Sequence, residues 1–124
     1  MSKIGSFMIG TDFEWVYTDE EGNPISSIGR IWGTKNRPLS IGRGCFRQED
    51  NVLTECNIPP VQTFEDFVGY IDHSIQACNK IMKGFYPSFS SSHRFPKSEL
   101  NCKKALEFGC APSFNIYTGE IVKV

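Results

Sequence analysis

The chain has 124 residues, of which 40% are hydrophobic and 22% charged, with 13 basic and 14 acidic side chains. Those fractions are globular averages and the length is that of one ordinary domain. Disorder, collagen and coiled coil are therefore excluded, and a single domain spanning 1–124 is expected. With no basic surplus, nucleic acid is not expected as a partner, because a phosphate binder usually carries one. No apolar run approaches the roughly 18 residues of a membrane span, so no membrane is expected as a partner.

The N-terminus, Met1 to Gly5, has no apolar leader core, and a cytoplasmic protein is expected. Five cysteines, Cys45, Cys56, Cys78, Cys102 and Cys110, form no CxxC or other zinc spacing. They read as reduced thiols rather than as a zinc site with His73 or His93.

In chain order, residues 7–17 read as a strand. Phe7, Ile9, Phe13, Trp15 and Tyr17 fall on one face at period 2, and Met8, Gly10, Asp12, Glu14 and Val16 on the other. The polar turn Asp19–Pro24 leads to a returning strand over 25–32. Residues 33–47, rich in Gly, Lys and Arg, read as a loop with a short strand at 39–41. The run Gln48-Glu49-Asp50-Asn51 reads as a polar turn before a strand over 51–58. That strand carries Asn51, Leu53, Glu55 and Asn57 on one face and Val52, Thr54, Cys56 and Ile58 on the other. Pro59-Pro60 ends it.

Residues 63–83 predict a long helix. Thr63 suits its N-cap, with Asp66 three residues on. Phe64, Phe67, Val68, Ile71, Ile75, Cys78 and Met82 make one apolar stripe, expected to be core, and Gly84 a stop. Residues 85–95 are an aromatic, serine-rich loop. A shorter helix is expected over 98–108, capped by Ser98. The end carries a turn at Thr118-Gly119 and a short strand. This order predicts an α+β fold with a mostly antiparallel sheet.

Acids are depleted in strand interiors, so Asp12, Glu14 and Glu55 stand out. Carboxylates projecting from neighbouring strands onto one sheet face build an oxygen cage for Mg²⁺, which often bridges to nucleotide phosphates. A solvated polar face is the plainer reading of the same pattern. The segments Gly33-Thr34-Lys35-Asn36-Arg37 and Gly42-Arg43-Gly44 suit phosphate contact through backbone N–H groups and cations, although no P-loop spacing is present.

Three strings taken together are more specific: Ile9-Gly10-Thr11-Asp12-x-Glu14, Gly33-Thr34-Lys35, and Gln48-Glu49-Asp50-Asn51-Val52-x-x-Glu55-x-Asn57-Ile58-Pro59-Pro60. Later in the chain comes Phe108-Gly109-Cys110-x-Pro112-x-Phe114-Asn115-x-Tyr117-Thr118-Gly119-Glu120. Over about residues 7–120 this series resembles the N-terminal half of the phage COOH–NH₂ ligase family, within the glutamate–cysteine ligase and glutamine synthetase superfamily. The resemblance implies an antiparallel sheet whose acids hold Mg²⁺–ATP, and an enzyme that activates a carboxylate as an acyl phosphate for attack by an amine. It implies Glu14 and Glu55 as metal ligands with Asp12 beside them, and Asn57 and Lys35 as cofactor-binding residues, Lys35 toward phosphate. The family continues past this length with a histidine-containing strand block. Phe13 stands where proline is expected, and Ser113 where aspartate is. A truncated ligase part or binding module in the host cytosol is therefore expected, with a protein partner or self-association. The alternative is a phage inhibitor of a host defence protein, such as an anti-CRISPR.

Overall fold

The computed structural model describes residues 8–90, 94–100, 102, 113–114 and 121–122. Its fold is α+β, with an antiparallel sheet and one long helix. The first strand, β1 (Asp12–Thr18), is preceded by a bridge between Ile9 and Val61. Then come β2 (Pro24–Ile25), β3 (Leu39–Gly42), β4 (Cys45–Asp50) and β5 (Leu53–Asn57). Helix α1 (Phe64–Ile81) follows, then β6 (Tyr86–Ser88) and the short helix α2 (Lys97–Leu100). A separate antiparallel pair, β7 (Ser113–Phe114) and β8 (Ile121–Val122), ends the described chain.

The sheet runs β2-β1-β5-β4-β3. Tyr17 pairs with Ile25 of β2 and with Pro87 of β6, so those two short strands flank opposite edges of the end of β1. Alternation along the strands separates two faces. Trp15, Tyr17 and Cys56 meet Cys78 and Met82 of α1 and Ile31 in the core, with Phe13, Ile41, Ile75 and Phe85 packed against them. Three polar ties fix α1 on this face. Tyr17 Oη donates to Asn79 Oδ1 at 2.8 Å. A His73 Nε2 hydrogen bond reaches the Ile41 carbonyl at 2.7 Å. The Arg43 guanidinium lies 5.1 Å from the Tyr70 ring centroid.

The helix starts where its cap is placed: Thr63 Oγ1 accepts from Asp66 N at 3.1 Å. Its apolar stripe is core only over the C-terminal half. Phe64 is 65% exposed and Val68 47%, whereas Cys78 is fully buried and Met82 nearly so. Eighteen helical residues span about 27 Å, while strands of five or six residues span roughly 17–20 Å. The helix outruns the strands beneath it.

Other sequence expectations shift. Of the expected 25–32 strand only Ile25 pairs, in β2 (Pro24–Ile25). Beyond it Ser26 Oγ accepts from Ile28 N, Ser27 Oγ donates to the Leu53 carbonyl, and Gly29 turns at φ 74°. These local hydroxyl bonds compete with a ladder. The expected loop over 43–47 is instead a tight hairpin. Arg43 and Gly44, at φ 58° and 78°, make its two-residue turn, and β4 returns through Gln48, Glu49 and Asp50. The polar turn is confined to Asn51-Val52, with Asn51 at φ 52°. Helix α2 stops at Leu100, and Cys102 N already bonds the Leu100 carbonyl; the rest of the expected 98–108 helix lies outside the described residues, as do Phe7 and the Thr118-Gly119 turn. Among the described residues no helix is long and apolar enough to cross a membrane.

Candidate metal centre

The face opposite α1 gathers the acids. Pairing of β1 with β5 sets Glu14 directly across from Glu55, and Asp12 across from Asn57. Pairing of β5 with β4 sets Gln48 across from Glu55, which brings Asp50, two residues on, to the same face. Carboxylate oxygens of Glu14, Asp50 and Glu55 lie within 4.8 Å of one another. Three neighbouring strands thus contribute one carboxylate each.

The arrangement is electrostatically tense. Burial raises the Glu14 carboxyl above its ordinary 4.5, and the charge of Asp50 and a hydrogen bond with it add to the rise. Burial pushes Glu55 up to about 7, reinforced by Asp50, Glu14 and Asp12. Like charges this close disfavour simultaneous ionisation. Glu55 is 8% exposed, and the buried Gln48 donates from Nε2 to its Oε2. That amide fixes one carboxylate oxygen from the side of β4.

Lys35 acts in the opposite sense, lowering both Glu14 and Glu55. Its loop is delivered by Gly33, whose carbonyl accepts from Glu49 N at 3.1 Å on β4, beyond the Leu39–Arg47 pair of β3 and β4. Gly33 has φ 86°, and a Cβ there would sit 2.7 Å from the Arg47 carbonyl oxygen, so only glycine lets the chain pass so close. Glu49 secures the preceding turn, its Oε2 accepting from Gly29 N at 2.9 Å and Trp32 N at 2.7 Å.

The structure brings Glu14 and Glu55 together on one sheet face, and the charge of Lys35 acts on both. Asp12 occupies the same face, but its Oδ1 accepts from Asn57 Nδ2 at 2.7 Å, and it stands outside the three-carboxylate cluster. Asp50 takes the third place. Sequence reasoning put it in a turn, because β4 carries no apolar alternation; the usable signal was the pair of two-residue turns, Arg43-Gly44 and Asn51-Val52, that bracket a six-residue strand. Gly42-Arg43-Gly44, read as a phosphate loop, is the β3–β4 hairpin, with Arg43 stacked over Tyr70 on α1. Of the cysteines, Cys45, Cys56 and Cys78 are buried free thiols and Cys102 is exposed.

The donor set is all oxygen and anionic, which suits a hard divalent cation such as Mg²⁺, and such a cation would relieve the repulsion that raises Glu14 and Glu55. Glu14 is exposed, leaving the cluster open to a ligand on that side. Compared with protein-family models, with curated proteins and with solved structures, the chain has no significant match. The ligase resemblance rests on the residue strings alone.

Proposed function

We propose that the chain is a Mg²⁺–ATP-binding module of the carboxylate–amine ligase type, acting as a binding module or as one part of a ligase. The observation that carries this reading is the set of three carboxylates, Glu14, Asp50 and Glu55, presented on one sheet face by three adjacent strands. Glu14, Asp50 and Glu55 would hold the cation, with Gln48 orienting Glu55. A bound Mg²⁺ supplies charge neutralisation for nucleotide phosphates. Lys35, whose charge already acts on the acids, faces the phosphate, and Asn57 keeps Asp12 directed along the same face.

Phosphoryl transfer needs metals, acceptor and an electrostatic clamp placed together. Three acids and one lysine supply the metal end only. A second chain completes the remainder in this reading, meeting the open acidic face or the outer edge of β3, which no described strand pairs.

The test is calorimetric titration with ATP, with and without Mg²⁺, on the wild type and on Glu14→Gln, Asp50→Asn and Glu55→Gln. Binding that needs the cation and is weakened at least tenfold by each substitution is expected. ATP binding that is indifferent to chelator and to all three substitutions, or no cation binding at all, overturns the proposal.

A further inference from the structure

On the other side of the same strand lies a sulfur pair that the acidic site does not use. Cys56 of β5 and Cys78 of α1 approach to 3.5 Å between Sγ atoms. Both side chains are fully buried, as is Cys45 on β4. Arg47 stands directly across from Cys56 in the β4–β5 register, and its positive charge favours the thiolate form of Cys78. The guanidinium is held there by its Nε bond to the Ile31 carbonyl at 2.7 Å.

We propose that Cys56 and Cys78 are an oxidative modification site, a dithiol that a hydroperoxide converts to a disulfide joining the central strand to the helix. The two sulfurs need to close by about 1.5 Å to reach bonding distance. Either sulfur can donate across the 3.5 Å contact, and with Cys78 as the acceptor its sulfur is the readier nucleophile. The Cys78 thiolate attacks the peroxide oxygen, its S–O bond forms as the O–O bond breaks, and the leaving alkoxide or hydroxide takes up a proton. The Cys56 sulfur then displaces the sulfenic oxygen, and that oxygen departs as water with the Cys56 proton. The dithiol loses two electrons, and the peroxide is reduced to an alcohol, or to water, plus water.

A hydroperoxide fits the site because it is small. Complete burial makes entry depend on local opening of α1, whose outer residues Glu65, Asp72, Gln76 and Lys80 are exposed. Oxidation of the pair is therefore slow in the native state and faster in mild denaturant. The bond closes a loop between residues 22 apart in sequence, which restricts the unfolded chain and raises the melting temperature.

The experiment uses the full reduced chain, with exposed Cys102 first alkylated under native conditions, then treated with hydrogen peroxide and digested without reductant. Loss of two hydrogen atoms per chain, a Cys56–Cys78 linked peptide, acceleration in sub-denaturing urea and a raised melting temperature are expected. Cys45→Ser should keep the link and Cys78→Ser should lose it. The wild-type peptide map decides the question even where a variant folds poorly. Recovery of Cys56 and Cys78 as free thiols after peroxide, or a link through Cys45, Cys102 or Cys110 instead, overturns the proposal.

Discussion

Replacing Glu55 by Gln tests the electrostatic reasoning most directly, because the amide is isosteric and its oxygen still accepts from Gln48. In the folded chain the Glu55 carboxyl is pushed from 4.5 up to about 7. The native state therefore binds more protons than the unfolded chain between those values, and stability falls as pH rises through that window. At about 1.4 kcal/mol per pH unit the upper limit is roughly 3.4 kcal/mol at high pH, of which about 2.5 kcal/mol develops between pH 5 and 8. Screening through the open face and the discharge of neighbouring acids reduce this to about 1–2 kcal/mol. Urea unfolding in chelator at pH 5, 6, 7 and 8 should show the variant gaining on the wild type by that amount as pH rises. Saturating Mg²⁺ should reverse the order at pH 8, since a cation at a hundred times its dissociation constant adds about 2.7 kcal/mol to a native state that binds it. A wild type that gains on the variant with rising pH in chelator would refute the placement of Glu55 in a repulsive cluster.

Gly33→Ala forces a methyl 2.7 Å from the Arg47 carbonyl oxygen at φ 86° and should cost about 1–3 kcal/mol, read as a lower urea midpoint with unchanged slope. Thr63→Ala removes the acceptor for Asp66 N and should cost about 1 kcal/mol, with loss of helical ellipticity at equal temperature. Burial raises the Tyr17 phenol well above its ordinary 10, so its hydroxyl stays protonated as pH rises and ionises only as the fold opens. Difference absorbance near the tyrosinate band, followed alongside circular dichroism, should show the wild type retaining one protonated tyrosine until unfolding, and Tyr17→Phe lacking that step.

The parts of the fold legible in sequence were those with a strong apolar period. The alternation of Phe13, Trp15 and Tyr17 placed β1 and its core face, and the Thr63 cap with the Ile75, Cys78 and Met82 spacing placed α1. Strand β4 was missed because its alternation is Phe46, Gln48, Asp50 against Cys45, Arg47, Glu49, a pattern without a clean hydrophobic side. Polar residues serve both of its faces: Arg47 and Glu49 tie down the 26–33 segment, while Gln48 and Asp50 build the acidic face. Missing β4 meant missing Asp50. Asp12 and Asp50 look alike in sequence, and only the three-strand register separates the acid paired with an amide from the one drawn beside Glu14. The overhang of Phe64 and Val68 was likewise invisible, since a periodic stripe says which way a helix faces but not how far the sheet extends beneath it.

The Gly33 crossing also confines Lys35. Its carbonyl bonds β4 at Glu49, and Leu39 pairs with Arg47 of the same strand, so Lys35 belongs to a five-residue span pinned at both ends. Within it Thr34 and Arg37 exchange backbone bonds at 3.1 and 3.0 Å. The ammonium is a tethered counter-ion whose charge acts on Glu14 and Glu55 at the high effective concentration of a short closed loop rather than being recruited from solution. Counted formally, Glu14, Asp50, Glu55 and Lys35 together leave two negative charges, the complement of one divalent cation. Because both ends of this loop are held on β4, the backbone entropy of bringing Lys35 to this side of the sheet is spent in folding.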